Sequence, residues 1–321
     1  MAETRLANLQ VPQEWRPWVI EQATANNALI RSGAFTVVRN DSMKAGLAFI
    51  VPNVGKIPGR SHVIVEGTNL PVENLATNTM TGVALARGKV IGFHDFVEIF
   101  TSMPDPWGIL AQRFAEFWEE DQNEIIRSML EGIFNSTGMA GLVHDITALT
   151  GGAELFSRNA YIAAGQRLRA GRGRLAAVVV DSATEAYMST VNATTGQPIF
   201  GQGTNVTNIG TAQVIVDDVL TPQDGDYHVA YLFRQGAGQF LERTNVPDSF
   251  ESEVFRNALA TYSGLVQRRV FVPWLNGTSW VGSISAVSPD NDALATGTNY
   301  SRVYDLENMG VVQFRYRLPT D

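Results

Sequence analysis

The sequence contains no cysteine, which excludes disulfides, thiolate metal sites and cysteine nucleophiles, and leaves mechanical strength to packing and subunit contacts, as suits a reducing compartment. Its four histidines, His62, His94, His144 and His228, are scattered and show neither His-x-x-x-His nor Glu-x-x-His spacing, so no metal site or acid–base centre is expected from them. No apolar run approaches the roughly 18 residues that cross a bilayer, and residues Met1 to Gln10 lack a basic segment followed by an apolar one. Neither secretion nor membrane insertion is expected. Lysine is scarce: only Lys44, Lys56 and Lys89 occur among 24 basic residues. Arginine's planar fork suits polar contacts at protein interfaces, although genomic composition alone could produce the same skew. Against 32 acidic residues the net charge is −8, which argues against a surface built to grip nucleic acid.

What is present is an ordinary globular composition, 321 residues with 45% hydrophobic content, enough for one large domain or two intimate ones. Residues 1 to 40 read as an arm, with Trp15 and Trp18 near the terminus and a helical stretch from about Val19 to Ile30 closed by Ser32-Gly33; the tryptophans need an apolar surface, and a neighbouring copy can supply one. From Gly46 to about Gly92, β-prone runs (Ala48 to Pro52, His62 to Val65) alternate with Gly-, Pro-, Asn- and Thr-rich segments. This reads as a long, sparsely packed hairpin that cannot stabilise itself, so its partners are expected outside the subunit.

The strongest local signal is a helix from Pro106 to Phe134, with Asp105 as N-cap and Pro106 at the first helical position. Leu110, Phe114, Phe117, Trp118, Ile125, Met129 and Ile133 form one stripe, and Arg113, Glu116, Glu120, Glu124, Arg127 and Glu131 fall opposite. Its length of roughly 43 Å suits a rigid support for something extended. After Gly151-Gly152 the pattern predicts a helix over Ala153 to Arg169, a strand over Leu175 to Val180 and a short helix from Asp181-Ser182 to Val191. Strands are expected at Ala212 to Val216, His228 to Phe233, Leu265 to Val272, Trp280 to Ser285 and Val311 to Leu318, the last alternating apolar and polar residues. The class is α+β, with no internal repeat.

Tests for chemistry return bland readings. Gly171-Arg172-Gly173 and Gly201-Gln202-Gly203 lack the strand–loop–helix context and the Gly-Lys-Ser/Thr ending of a phosphate loop and read as turns. Asp217-Asp218 has no third carboxylate beside it and reads as a strand-end turn. Glu116, Glu119, Glu120 and Glu124 form a wet helix face. Asp121 is the exception: it falls within the apolar stripe, where pairing with an arginine across a packing interface is expected. No catalytic residue, cofactor or metal is indicated, and the chain does not read as an enzyme.

Several segments, taken in order, resemble the major capsid proteins of tailed bacteriophages of the Hong Kong 97 type. The segment Asp105-Pro106 through Leu130-Glu131-Gly132-Ile133-Phe134 is similar to that family's spine helix; Ala153 through Leu168 and Leu175 through Tyr187 to the helix, strand and helix of its axial domain; Val214 to Asp218, Gly225 to Tyr227, Tyr231 to Phe233 and Gly236-Ala237 to its central strands; and Glu253 to Gly264 with Arg268 to Phe271, up to Trp280, to its C-terminal portion. The resemblance implies an N-terminal arm (1–45), an extended loop (46–92), a peripheral domain with the spine helix (93–150), an axial domain (151–262) and a return to the peripheral domain (263–321). It further implies self-assembly through hexamers and pentamers into an icosahedral shell that encloses double-stranded DNA without reading its sequence, in the host bacterial cytoplasm, with a portal protein, a separate scaffolding protein and, in some members, a decoration protein. The arm is too short for a fused scaffolding domain, so no N-terminal maturation cleavage is expected. Some members join a loop lysine to a neighbour's asparagine; Lys56 and Lys89 lie in the loop, but neither the asparagine nor the assisting glutamate is recognisable, so no crosslink is expected. Candidate inter-subunit contact residues are Trp15, Trp18, Lys56, Arg60, Glu66, Lys89 and Asp121. An encapsulin-like compartment, sharing the fold but enclosing protein cargo, is the alternative.

Overall fold

In a computed structural model, the described residues are 28–39, 48–55, 57, 59–64, 67, 69, 75, 77–94, 106–189, 208–221, 227–243, 250–257, 260–284 and 288–319. A short helix α1 (Ala28–Arg31) leads into strand β1 (Phe35–Arg39). Strands β2 (Ala48–Val54) and β3 (Thr77–Val83) pair only with each other, in register from Ala48↔Val83 to Val54↔Thr77. The long helix α2 runs Pro106–Asn135, one residue beyond the sequence expectation; Asp105 lies outside the described residues. Phe114, Trp118, Ile125, Met129 and Ile133 are buried as the stripe requires. So are Ile126, Leu130, Gly132 and Phe134, because the C-terminal half of the helix is wrapped on more than one side.

Two sheets flank that helix. Strand β4 (Leu85–His94), β10 (Gly238–Glu242), β11 (Phe250–Asn257) and β12 (Ala260–Leu275) join β1 in one. Because Tyr262 to Gln267 pair with both β11 and β4, and Phe271 with both β10 and β4, β4 occupies one edge of β12 and β10 with β11 the other. The hairpin therefore ends at Val83, short of the expected Gly92: the run Leu85 to His94 is recruited by the main-chain groups of β12 instead of those of β2.

The second sheet has the order β5-β15-β9-β6-β8-β7, built from β5 (Val143–Asp145), β6 (Leu175–Val180), β7 (Asn208–Ile209), β8 (Ala212–Val216), β9 (His228–Arg234) and β15 (Val311–Tyr316). Val178, Val179 and Val180 are all buried, as are Val311, Val312, Gln313 and Phe314. Both faces of these strands are thus covered, and the alternation in burial expected for the last strand is absent because elements outside the sheet pack on it, Phe156 against Phe314 and Tyr316 and Thr184 against Tyr316 among them. Helices α3 (Arg158–Gln166) and α4 (Ser182–Ser189) pack on this sheet through Tyr161, Ala164 and Met188. The sheets cut across the divisions at 150/151 and 262/263, since β10 and β11 belong to the first sheet and β5 and β15 to the second.

Two expected elements are corrected. Residues 153–157 are not helical: Phe156 N donates to Arg317 O at 3.0 Å and Leu155 bridges Arg317, and α3 starts only after Ser157, whose side chain accepts from Ala160 N. Strand β13 (Thr278–Trp280) stops where the expected strand begins, paired with β14 (Tyr300–Arg302); residues 281–284 are not in a strand.

Helix α5 (Asn291–Ala295) crosses α2 at Gly132, where a Cβ would lie 2.0 Å from Leu294 O and 2.6 Å from the Tyr300 ring. One core unites Ile126 to Phe134 of α2 with the six-stranded sheet. Ile125 faces another, with Leu85, Phe240, Phe271, Trp280 and Leu294. The helix is a member of both cores.

Candidate subunit-contact site

Among the described residues, the contacts that anchor the β2–β3 hairpin lie at its root. Phe49 meets the Trp274 ring edge-on at 6.1 Å, Thr81 N donates to Ser279 Oγ at 3.0 Å, and Met80 is buried in a cluster with Val270, Val272 and Trp274. The apolar side chains on the outer face of the root and beyond it face outward: Ile50, opposite Thr81, and Val54 are each 60% exposed, Ile57 80%, Val63 85% and Ile64 83%. Scattered exposed apolar residues are ordinary, but here they lie on a two-stranded ribbon, which is marginal by itself in water. Covering one such side chain is worth roughly 1.5–3 kcal/mol.

Of the expected contact residues, Trp15, Trp18, Lys56 and Glu66 lie outside the described residues. Arg60 lies in the irregular tip and is exposed. Lys89 and Asp121 are brought together, but within the subunit: Lys89 Nζ sits 4.9 Å from the centroid of Phe117 on α2, and the positive charges acting on Asp121 are Arg87, Arg269 and Lys89 of the same sheet. Asp121 Oδ2 is buried and accepts no hydrogen bond. Burial pushes its carboxyl above the usual range, and Arg87 only partly offsets this. Arg87 itself reaches across to Asn291 Oδ1 at 3.2 Å. The arginine expected across a packing interface is thus on the neighbouring strand β4, not in direct contact.

Two buried polar networks escaped the sequence reading. In the first, Arg269, 1% exposed, donates through Nε to Glu242 Oε1 at 2.9 Å and bonds the same oxygen through Nη2. Its guanidinium lies over Trp118 at 5.2 Å; turned so that its oxygen faces the guanidinium, the Gln122 amide accepts from both Nη atoms at 2.7 and 2.8 Å. Trp118 Nε1 donates to Gln267 Oε1 at 2.6 Å. The network fastens α2 to β12 and β10.

In the second, His228 Nδ1 and Asp181 Oδ2 are 2.5 Å apart, and Thr184 N donates to Asp181 Oδ1 at 3.2 Å, capping α4. Burial raises the Asp181 carboxyl, but the bonds from His228 and Thr184 outweigh it and hold it below the ordinary value. A buried carboxylate–imidazole pair is half of a nucleophile-activating arrangement, yet the Thr184 hydroxyl is shared with Tyr316 OH at 2.7 Å, and both members of the pair are more than nine-tenths buried. What the arrangement does is fasten α4 to β9 and β15.

Asp217 and Asp218 form the expected turn: Asp217 Oδ1 accepts from Val219 N and Leu220 N, and Asp218 Oδ1 from Ser182 N. Gly171-Arg172-Gly173 precedes a strand instead of following one; Gly201 to Gly203 lie outside the described residues. Among the described residues no group of three or more His, Asp or Glu side chains is placed to hold a metal ion, and no helix is long and apolar enough to cross a membrane.

No family model matches the chain. The major capsid protein of Bacillus phage SPP1 is 27% identical to it over 331 aligned positions that cover 99% of each chain. Among solved structures, the capsid of a native GTA particle covers 92% of this chain and 90% of its own at a TM-score of 0.56 and 11% identity. The capsid of Ralstonia phage GP4 covers 91% and 89% at 0.53 and 10% identity. The fold is that of phage capsid proteins of the Hong Kong 97 type.

Proposed function

We infer that this chain is a major capsid protein of a tailed bacteriophage, a structural subunit of the virion shell that assembles with further copies of itself. The observation that carries this reading is the β2–β3 hairpin. It holds Ile50, Val54, Ile57, Val63 and Ile64 away from any core of its own subunit, an arrangement that costs solubility in a monomer and is relieved when a neighbour covers it. End-to-end similarity to a phage major capsid protein favours a shell around DNA over an encapsulin-like compartment around protein cargo.

In the finer reading, residues 46–83 lie across an adjacent subunit, Arg60 and Glu66 among their contacts, while Trp15 and Trp18 dock in a neighbour's apolar surface. The α2 helix with the β12 sheet forms the peripheral part and the six-stranded sheet with α3 and α4 the axial part around the centre of hexamers and pentamers. Modest, reversible contacts let errors anneal before the shell closes. A separate scaffolding protein and a portal protein direct assembly in the host cytoplasm, and a decoration protein is an optional addition.

Negative-stain electron microscopy of material from cells expressing the chain tests the reading: closed or open shells and capsomers are expected, and a stable monomer at all concentrations would overturn it. Duplex DNA inside particles from infected cells supports the phage assignment; a protein cargo with no DNA assigns the compartment instead. A single 35.0 kDa band after boiling in detergent is expected if no crosslink forms.

A further inference from the structure

From Arg158 to Val180 the sequence holds five arginines and no carboxylate, in a chain whose net charge is −8. Four of them, Arg167, Arg169, Arg172 and Arg174, sit in and beside a tight 3-10 turn (Arg169–Arg174) that joins α3 to β6. The turn is built to hold its shape. Arg169 has φ of +48°, and is the one non-glycine residue with positive φ among the described residues, a conformation that an L-residue keeps only where its surroundings hold it there. A Cβ at Gly171 would lie 3.2 Å from Glu307 O, and the Arg172 stem runs 3.4 Å from where a Gly165 Cβ would be. With Arg172 laid along α3, the side chains of Arg167, Arg169 and Arg174 are exposed. Arg169 approaches Glu307 only at 4.0 Å, with 78% and 38% of the two side chains exposed, a pair worth little in water.

The opposite sign is concentrated elsewhere. Helix α2 carries six carboxylates and two arginines, a net −4. Arg113 engages Glu116 at 2.7 Å, while Glu120, Glu124 and Glu131 are exposed. Spaced by four and seven residues, they share one outer face. Identical copies of charge −8 repel when packed side by side unless their contacts set unlike charges together. The chain supplies both halves of such a contact, and guanidinium forks match carboxylates two bonds at a time.

We propose that the arginine turn 167–174 of one copy docks on the acidic outer face of α2 of the adjacent copy, with Arg169 and Arg174 opposite Glu120 and Glu124. The proposal rests on the reading of the chain as a shell subunit. It adds a polar, salt-sensitive contact to the apolar one made by the hairpin.

The test is a charge swap scored by sedimentation and electron microscopy of expressed protein. R169E/R174E avoids the packed Arg172 and is expected to melt like the wild type, yet to lower the particle yield by at least about tenfold. E120R/E124R is expected to do the same, and the fourfold variant combining both pairs to recover most of the yield. Wild-type particles are expected to loosen as salt rises, and the recovered variant likewise. Assembly of R169E/R174E at the wild-type level would overturn the contact, and so would a loss that the fourfold variant does not repair. Binding of a 30-base-pair duplex probe that R169E/R174E abolishes while assembly stays intact would assign the turn to nucleic acid and overturn the proposal. If the wild type itself yields neither capsomers nor particles, the shell reading fails and this contact with it.

Discussion

Asn123 Nδ2, on the buried side of α2, donates to Asp217 Oδ2 at 2.9 Å, while the other oxygen of the same carboxylate accepts from Val219 N and Leu220 N at 2.9 and 3.0 Å. One aspartate thus closes the turn after β8 and ties that turn to the long helix. Burial pushes the Asp217 carboxyl up, against the pull of its two backbone donors, so each donor matters. Asn123→Ala is expected to destabilise the soluble subunit by about 1–3 kcal/mol, read from the midpoint of urea unfolding.

Gly132→Ala separates intrinsic helix propensity from packing. In an exposed helix the change stabilises by about 1 kcal/mol, but here the added Cβ would meet Leu294 O at 2.0 Å. Loss of several kcal/mol, or displacement of α5, is expected. A thermal melt at or above the wild-type temperature would contradict the close helix crossing.

Asp181 gives a pH-dependent outcome. Its carboxyl is held below the ordinary value in the folded chain, so the stability it contributes is present above the unfolded value of about 3.9 and is lost as pH falls through the folded one. Asp181→Asn is therefore expected to destabilise by about 1–3 kcal/mol at neutral pH, with the gap to the wild type closing in strong acid. Melting curves from pH 7 down to about pH 2, well below the ordinary carboxylate value, read it directly.

For the buried pair, Arg269→Ala leaves the Glu242 carboxyl buried without its guanidinium partner, and a loss of about 3–5 kcal/mol is expected. Replacing both partners, as Arg269→Met with Glu242→Leu, is expected to recover most of it, since burying two charges is itself costly. Failure of the double variant to outlast the single one would mean that the Gln122 and Trp118 contacts matter more than the charges.

At the hairpin tip, Val63→Ser with Ile64→Ser removes two side chains that touch little in their own subunit. Subunit melting is expected to stay within about 0.5 kcal/mol of the wild type, while the yield of assembled particles falls. Equal loss in both would place the tip inside the subunit's own core.

The elements that sequence alone revealed are those whose signal is local. Helix α2 announces itself through Pro106 and an apolar stripe, β6 through an unbroken aliphatic run, and β8 through an aliphatic run interrupted only by Gln213. What stayed hidden depends on distant partners. Leu85 to His94 looks like a continuation of the hairpin until β12, some 180 residues later, claims it. Ala153 to Phe156 has helix-forming residues, but Arg317 takes the Phe156 N–H. His228 and Asp181 are 47 positions apart, and neither carries a flanking pattern that points to the other. Trp15, Trp18, Lys56 and Glu66 were legible only as residues in need of a partner.

Strand β12 extends over sixteen residues, roughly 54 Å at 3.4 Å per residue, with β4 along one side and β10 and β11 along the other. Ladder hydrogen bonds in antiparallel pairs run perpendicular to the strands. Tension along β12 is therefore shared by the whole ladder in shear, whereas a force lifting one end would break the bonds in succession. Where β12 is paired on both sides, at Tyr262 to Gln267 and at Phe271, a pull along the strand has to shear two ladders at once, and that stretch resists it as a tie-beam does.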